Sequence, residues 1–422
     1  MASARPNVVV IMADDLGYGD LSCMGSEFRT PHLDRLAASG VRLSTWYSNA
    51  PVCSPSRASL LTGRYPHRTG VTHILGGARG AVPGLTPGVE TIAGALREQL
   101  GYRTAHVGKW HLGTDAGARP DRHGFDHWFG FTAGCFDYYS HLFYYDDKLN
   151  PVHDLWENDH EVYRNGEYAT DLFTDEAVRI IRDWGSDGPF CLYLGYNAPH
   201  YPMHAPAEYL DRFRDLPPDR RIMAAMVSCM DDGIGRILDE LDRQGITDDT
   251  CVFFMSDNGP SPESRNWMDG REDAYYGGSA GIFRGHKFSL YEGGIRVPAM
   301  ISWPGRLAGG RVVDAPLAAM DVYPTLLRLA GADPDRYGCD GTDIWPVLTG
   351  EQDGIDRPIF WRHHVNAAVR EGDWKLVREK DAETLHNLAD DPSEQRDVSA
   401  DKPAVAEELR NVLRDWESGI PD

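Results

Sequence analysis

The sequence contains no long apolar run and comparatively little positive charge. Nowhere in its 422 residues do about 18 apolar residues follow one another, as a membrane-spanning helix would require, so no membrane span or membrane partner is expected. Lys and Arg total 42 against 64 Asp and Glu, a formal net charge of −22. This acidic balance disfavours nucleic acid as a partner and means that a local cluster of cations must attract any anionic substrate.

The sequence as given shows neither the pattern of a leader segment nor that of a disulfide framework. The N-terminus has no basic segment followed by an apolar one, because Asn7 to Met12 already has the pattern of a core strand. As the sequence stands we expect a cytoplasmic protein, or a periplasmic or secreted one from which a signal peptide was removed. The seven cysteines mostly lie singly in apolar runs, as Cys191 and Cys251 do, which is typical of core packing.

Four apolar runs share one pattern, in which a predicted buried strand ends abruptly in a polar cluster. The runs are NVVVIM before Asp14 and Asp15, YRTAHV before GKWH, FCLYLGY before NAPH, and TCVFFM before SDNG. Helical stretches lie between them, including 31–39, with Thr30 as the predicted cap, and the amphipathic Ile222 to Gln244. Alternating strands and helices predict an α/β fold with a large, mainly parallel or mixed sheet between layers of helices.

The four polar clusters can converge on one site. In open α/β sheets, ligands bind outside the carboxyl ends of the strands, which is where all four clusters would lie. Taken alone, any one of these clusters is as often a set of polar loop residues that simply ends a strand. Four clusters rich in Asp, His and Lys favour a shared site.

The composition and the segment lengths of the chain change after about Gly331. Pro and Gly recur through Gly350. Shorter segments follow, and the last is an amphipathic stretch from Val405 to Trp416. We predict a catalytic α/β domain over 1–335 and a smaller C-terminal α+β subdomain over 336–422, built of antiparallel strands and that helix.

The segment around Cys53 is the most informative in the chain. Pro55 and Gly63 frame a short helix that places Cys53 at its N-terminus, where unpaired backbone N–H groups favour anions. Arg57 lies one helical turn further on. From these residues alone, Cys53 can be a nucleophilic thiol of lowered pKa or a buried, inert cysteine.

The segment CSPSRASLLTGR resembles the formylglycine signature of the type I sulfatases, Cys-x-Pro-x-Arg followed by Leu-Thr-Gly. The resemblance runs nearly the whole chain, through ADDLGYGD, GKWHLG, NAPH, SDNG, YEGGIRVP and LHNLADDPSE. It implies an alkaline phosphatase-like fold and hydrolysis of sulfate esters. It also implies that a formylglycine-generating enzyme converts Cys53 to Cα-formylglycine, whose hydrated aldehyde is the nucleophile.

Two pairs of residues at strand tips are candidate metal ligands. Asp14 with Asp15, and Asp257 with Asn258, supply the hard oxygen ligands that Ca²⁺ or Mg²⁺ requires, whereas zinc prefers His and Cys. An Asp-Asp pair alone is as often a turn or a helix cap. The resemblance implies that these four residues, with the formylglycine oxygen of residue 53, hold Ca²⁺, with Mg²⁺ as the alternative.

Lys109 and His111 alternate in GKWH, so in an extended segment both would project to one face while Trp110 packs away. Singly, a His or Lys is more often a surface group. The resemblance implies catalytic roles for six residues: Cys53, Arg57, Lys109, His111, His200 and Lys287.

The resemblance also implies what each of these residues does to an anionic ester. The resemblance implies that Lys109 and Lys287 bind the sulfate oxygens and, with Arg57, offset charge where it develops. His111 would act on the second hydroxyl of the hydrate to release sulfate, and His200 would protonate the leaving oxygen.

The aromatic stretch 124–147 suits stacking on sugar rings, but it could equally pack the wall of the site. The stretch resembles sulfatases that act on galactosamine or galactose sulfates, which favours a sulfated mono- or oligosaccharide substrate. Two alternatives remain: a phosphonate monoester or phosphodiester hydrolase of the same superfamily, and a catalytically inactive carbohydrate-binding relative. The sequence assigns no oligomeric state.

Overall fold

The computed structural model describes residues 5–77, 80–144, 150–262 and 277–420. Residues 145–147, the end of the aromatic stretch, lie outside this set. No helix among the described residues is both long and apolar enough to cross a membrane.

The strands, in chain order, are β1 (Asn7–Ala13), β2 (Val41–Leu43), β3 (Trp46–Tyr47), β4 (Arg103–Lys109), β5 (His127–Phe131), β6 (Leu142–Phe143), β7 (Val152–His153), β8 (Trp156–Glu157), β9 (His160–Glu161), β10 (Phe190–Gly195), β11 (Thr250–Ser256), β12 (Ala299–Ser302), β13 (Arg311–Val313), β14 (Leu317–Ala318), β15 (Ile359–His363), β16 (Asn366–Glu371), β17 (Trp374–Glu379) and β18 (Ala382–Asn387). The α-helices are α1 (Pro31–Ser39), α2 (Cys53–Thr62), α3 (Ile92–Leu100), α4 (Ala169–Trp184), α5 (Ala207–Arg212), α6 (Pro218–Arg243), α7 (Glu292–Ile295), α8 (Val322–Ala330), α9 (Trp345–Thr349) and α10 (Pro403–Ser418).

The main sheet has the strand order β13-β2-β12-β11-β1-β10-β4-β5-β8-β9. The four strands predicted from apolar runs are its centre, β11, β1, β10 and β4, and they are mutually parallel. Antiparallel pairs, β11 with β12 and β5 with β8, flank this centre. The predicted large mixed sheet is therefore confirmed.

Helices cover both faces of the sheet, which explains why the central strands are apolar throughout. Val8 and Val10 of β1 pack into a core that includes residues of α2, α3 and α8. Val9 and Ile11 face the other way, into a core shared with α1, α4 and α6. Because successive side chains of a strand point to opposite faces, a strand buried on both sides must be apolar at every position.

Helix α1 begins at Pro31 as predicted, but Thr30 does not cap it with its side chain. The Thr30 hydroxyl instead accepts the backbone N–H of Ser22 at 3.0 Å. The carboxylate of Asp231, on α6, accepts the free N–H groups of His32 and Leu33 at 3.1 and 2.7 Å. The predicted local cap is thus wrong, since a residue some 200 positions away performs that function.

The C-terminal region forms the predicted antiparallel sheet and helix. Strands β15 to β18 pair in order, and α10 follows them. Their core also includes Tyr47 and Ile295 from the preceding part of the chain. The buried ammonium of Lys375 joins the two parts, because it lies 2.8 Å from Glu292 and 2.9 Å from Glu394. The division at residue 335 stays a prediction.

Candidate active site

The polar clusters that follow the central strands meet at one edge of the sheet. Asp14 and Asp15 come directly after β1, and Asp257 and Asn258 directly after β11, while Lys109 is the last residue of β4. The NAPH loop follows β10. All these side chains are buried, and the parallel arrangement of the four strands brings them together.

Cys53 is the first residue of α2, which ends at Gly63 with a left-handed φ of 67°. Its Sγ lies 3.5 Å from Asp14 Oδ1 and 3.9 Å from Asp15 Oδ1. Burial raises the pKa of the Cys53 thiol well above its usual value, even though two lysines, Lys109 and Lys287, act to lower it. The interpretation of Cys53 as an acidic thiol is therefore wrong for the unmodified residue.

Four buried residues form what we call the Asp14 half of the site: Asp14, Arg57, Lys109 and Asp257. Lys109 Nζ lies 2.6 Å from Asp14 Oδ2, and Arg57 Nη2 lies 3.5 Å from Asp14 Oδ1. Arg57 also donates from Nε and Nη2 to Asp257 Oδ2, at 3.1 and 2.9 Å. Burial acts to lower the pKa of Lys109, but the neighbouring negative charges, Asp14 first among them, together outweigh it and the net pKa is raised. Lys109 and Arg57 therefore stay charged.

The Asp15 half consists of Asp15, His200, Asn258 and Lys287. Lys287 Nζ donates to Asp15 Oδ2 at 3.0 Å, and His200 Nε2 lies 3.5 Å from the same oxygen. Lys287 Nζ and His200 Nε2 are 3.4 Å apart. A lysine and a histidine thus lie next to each other across the site from Lys109.

His111 reaches the same cleft by a different path from the predicted one. Strand β4 ends at Lys109, and His111 has a left-handed φ of 55°, so the segment is not extended there. Its Nε2 lies 3.3 Å from the carbonyl oxygen of Leu75. Burial, then the charges of Lys109 and Arg57, lowers the pKa of His111 well below its usual value. The imidazole is therefore neutral near pH 7 and able to accept a proton.

The oxygen atoms of the site fit a hard divalent cation. Asp14 and Asp15 belong to a buried group of residues whose ligand atoms lie within 4.8 Å of one another. Burial, then the neighbouring charge of Asp14, raises the pKa of Asp257. Among the described residues, the buried Oδ1 of Asn258 has no hydrogen-bond partner. Crowded carboxylates beside an unpaired amide oxygen are the arrangement that a Ca²⁺ or Mg²⁺ ion would relieve.

Tyr138 supports the loop that carries His200, and no sequence motif singled it out. Its buried hydroxyl lies 2.7 Å from the carbonyl oxygen of Asn197 and 2.8 Å from that of His200. Within the same aromatic stretch, Phe131 and Phe136 stack at 4.0 Å inside the core. Phe131, Phe136 and Tyr138 thus belong to the core, whereas Phe143 of the same stretch lines the cleft, so both interpretations of the stretch stay predictions.

The reactive side chains line a cleft of about 230 Å³, whose walls include Cys53, His111, His200 and Lys287. Phe143 and the loop 74–77 complete the walls. This loop has no charged or metal-binding motif, so nothing in the sequence distinguished it from an ordinary connection.

Known proteins are similar in sequence to most of this chain. The family model "Sulfatase" matches residues 6–332, and the model "N-sulphoglucosamine sulphohydrolase, C-terminal" matches residues 278–418. The N-acetylgalactosamine-6-sulfatase of Mus musculus is 38% identical over 401 residues, which cover 89% of this chain and 72% of the mouse protein.

Solved structures are similar over almost the whole length. That of Ps i-CgsB in complex with k-i-k-neocarrahexaose is 34% identical, with a TM-score of 0.88 over 98% of this chain and 92% of that one. The phosphonate monoester hydrolase of Agrobacterium radiobacter shares the fold, at 23% identity and a TM-score of 0.68 over 99% of this chain and 96% of its own.

Proposed function

The chain belongs to the sulfatase family, and on that premise we propose that it releases inorganic sulfate from sulfated carbohydrates, with a formylglycine at position 53 as the nucleophile. One observation carries the proposal: Cys53 Sγ lies within 4 Å of both Asp14 and Asp15, beside three cationic side chains. Members of the family generally use a formylglycine made from cysteine and a divalent metal. A thiol of raised pKa is a poor nucleophile, which favours the modified residue.

Charge at the site suits an anionic ester. Without a metal, the carboxylates of Asp14, Asp15 and Asp257 balance three cations: Arg57, Lys109 and Lys287. A divalent cation held by Asp14, Asp15, Asp257 and Asn258 would make the site positive and lower the pKa of the attacking hydroxyl. We assign Ca²⁺, with Mg²⁺ as the alternative. This local positive charge is what an otherwise acidic protein needs to attract a sulfate ester.

In the first step, a hydroxyl group of the hydrated formylglycine gives up its proton to solvent, and its oxygen forms a bond to sulfur as the bond between sulfur and the alcohol oxygen breaks. Lys109 and Lys287 hold the non-bridging oxygens. His200 donates a proton to the departing alcohol, because an alkoxide is a poor leaving group. Its neighbour Lys287, 3.4 Å away, favours loss of that proton by charge repulsion.

In the second step, His111 removes the proton from the other hydroxyl of residue 53. The carbon–oxygen bond to sulfate then breaks, sulfate leaves, and the aldehyde forms again. The lowered pKa of His111 supports this role, since a neutral imidazole is ready to take a proton. Water then hydrates the aldehyde.

The substrate class rests on the relatives and not on the motifs. The similar mouse protein is named for the 6-sulfate of N-acetylgalactosamine, and the similar solved structure was obtained with a neocarrahexaose. Both names point to sulfated sugars, and we propose a galactosamine or galactose sulfate. Phe143 at the wall of the cleft supplies an apolar surface for such a ring.

The test is a substrate panel with protein produced together with a formylglycine-generating enzyme. Peptide mass spectrometry should show the aldehyde or its hydrate at residue 53, and sulfate release should be fastest from galactosamine or galactose sulfates. Cys53→Ala, folded but inactive, is the control. Full activity of that variant would exclude the nucleophile. Faster hydrolysis of aryl phosphonates than of aryl sulfates would support the phosphonate hydrolase alternative, and binding without turnover would support the inactive relative.

A further inference from the structure

A second cleft, of about 480 Å³, lies where the C-terminal sheet and α10 meet the chain on either side of α2. We call it the subdomain cleft and define it by six of its lining residues: Asn49, Tyr65, His67, Arg362, His364 and Trp416. None of these takes part in the reaction described above.

An aromatic surface forms one side of the subdomain cleft. The Trp416 ring stacks on Phe360 at 4.8 Å, with 3° between the planes, which fixes its orientation. Tyr65 and His67 each meet Trp416 edge-on at 5.4 Å. Trp416 is only partly buried, so the rigid indole keeps exposed surface toward the cleft. A flat, fixed indole is the surface against which sugar rings pack their C–H groups.

The polar groups of the cleft suit an anion. Arg362 and His364 are exposed on its rim, and no Asp or Glu is among the described residues that line it. Burial, only partly opposed by the charge of Asp340, lowers the pKa of His67, so Arg362 is the permanent cation. In a protein of net charge −22, the described lining of this cleft, like that of the active-site cleft, contains no carboxylate.

The side-chain amide of Asn49 makes a hydrogen bond within the fold through its oxygen but, in the described part of the chain, none through its nitrogen. Its side chain is 1% exposed, and its Oδ1 accepts the N–H of Met320 at 2.8 Å. Among the described residues, its Nδ2 has no hydrogen-bond partner. Since a buried donor without an acceptor costs free energy, a ligand hydroxyl in the cleft would satisfy it.

One loop connects this cleft with the active site. Thr72 and His73 line the subdomain cleft, and the next residues, 74–77, line the cleft that contains Cys53. The loop is fixed on the active-site side, because Leu75 N donates to Ser54 Oγ at 3.1 Å and Leu75 O lies 3.3 Å from His111 Nε2. The segment 72–77 therefore borders both clefts.

We infer that the subdomain cleft is a second sugar subsite, which binds an anionic sugar unit of an oligosaccharide whose sulfate ester lies at residue 53. Trp416 packs against the ring, Arg362 pairs with its sulfate or carboxylate, and Asn49 Nδ2 donates to a hydroxyl. This inference rests on the proposed function, and it makes an oligosaccharide, not a single sugar, the preferred substrate.

The experiment compares kcat/KM on a galactan tetrasaccharide sulfated on each unit with kcat/KM on nitrophenyl sulfate. For Arg362→Gln we expect the ratio of the two constants to fall about tenfold, mainly through the KM of the tetrasaccharide, because one charged hydrogen-bonding group is lost. Trp416→Leu should lower the ratio at least as much. Arg182→Gln, which removes an exposed arginine on α4, is the matched control and should leave the ratio unchanged.

An unchanged ratio in both cleft variants would overturn the inference, as would equal losses on the two substrates, which would indicate a purely structural role. Calorimetric titration of Cys53→Ala with the same tetrasaccharide separates this inference from the proposed function. If the wild-type protein hydrolyses no sulfate ester, weaker binding in Cys53→Ala/Arg362→Gln than in Cys53→Ala still supports the subsite. Equal binding in the two would refute it.

Discussion

The two halves of the active site use the same kinds of residue but are built differently. In the Asp14 half, Arg57 and Lys109 come from the start of a helix and the end of a strand, and both are 0% exposed. In the Asp15 half, His200 and Lys287 come from loops and line the cleft. The half sealed in the core holds charge in fixed positions, whereas the half at the cleft lines the space that the substrate would occupy on the proposed function.

The backbone at Asp15 allows both halves to face residue 53, the proposed nucleophile. Successive side chains of a strand point to opposite faces, so Asp14 and Asp15 could not both face Cys53 if β1 simply continued. Asp15 instead has a left-handed φ of 63°, which turns its carboxylate back toward the site. Backbone strain of this kind costs about 1–3 kcal/mol and is retained where function requires it.

The largest expected effect is loss of Asp257, which would disrupt both halves at once. Asp257→Ala removes a proposed metal ligand and leaves the buried Arg57 without its closest carboxylate. We expect loss of the bound metal together with a fall in kcat of about 1000-fold or more. Metal analysis and sulfate release on the same sample measure both. Stoichiometric zinc in the wild type, with Ca²⁺ and Mg²⁺ unable to restore the apoprotein, would contradict the assignment.

His111→Ala should stop the cycle after the first step. Without a base for the second hydroxyl, the bond to sulfate cannot break, so a sulfated residue 53 should accumulate. Mass spectrometry of the peptide that contains residue 53, after mixing with nitrophenyl sulfate, would detect a mass increase of sulfate. Absence of the adduct in an inactive but folded variant would show that His111 acts earlier than proposed.

The two lysines should differ in their effect on stability. Lys109→Ala leaves the buried Asp14 with Arg57 as its remaining cation within 4 Å among the described residues, and breaking a buried pair costs about 3 kcal/mol or more. Lys287→Ala should cost about 1 kcal/mol, because Asp15 keeps the hydrogen bond from Asn258 at 2.7 Å and water from the cleft can replace the ammonium. Denaturant unfolding of the two variants measures the difference. Equal losses would show that the halves are equally sealed.

His200→Ala, in the Asp15 half, should lower activity by an amount that depends on the leaving group of the substrate. Sugar alcohols need an acid, whereas nitrophenolate departs unaided, so we expect about 100-fold loss on sugar sulfates and less than about tenfold on nitrophenyl sulfate. Initial rates on the two substrates give the result. Similar losses on both would assign His200 to binding of the sulfate group and not to protonation of the alcohol.

The sequence located residues of both halves, but it did not show how the backbone turns at two of them. The ends of apolar strands located Asp14, Asp15 and Asp257, since a strand buried on both faces is apolar throughout. The left-handed turns at Asp15 and His111 leave no such pattern, because they depend on tertiary contacts. The backbone conformation of these two residues therefore appeared only in the structure.

Supports that come from distant parts of the chain could not be predicted either. Asp231, which caps α1, lies in the middle of an amphipathic helix and has an ordinary sequence context. Tyr138 lies in an aromatic stretch where no feature distinguishes it from its neighbours. Both act through hydrogen bonds to backbone groups, and a sequence does not record which backbone groups are left unpaired.

Tyr138→Phe should have the smallest effect and should act only on the Asp15 half. The change removes one hydroxyl near the carbonyl oxygens of Asn197 and His200 without changing the ring, and Tyr168 continues to stack on that ring at 5.2 Å. A lost buried hydrogen bond costs about 1 kcal/mol, so the fold should survive. A loosened His200 should lower kcat on sugar sulfates by about three- to tenfold, with nitrophenyl sulfate almost unaffected.

Tyr168→Phe, whose hydroxyl binds the carbonyl oxygen of His204 at 2.8 Å, is the matched control and should lose stability without this substrate dependence. If Tyr138→Phe slows both substrates equally, Tyr138 supports the whole site and does not position His200.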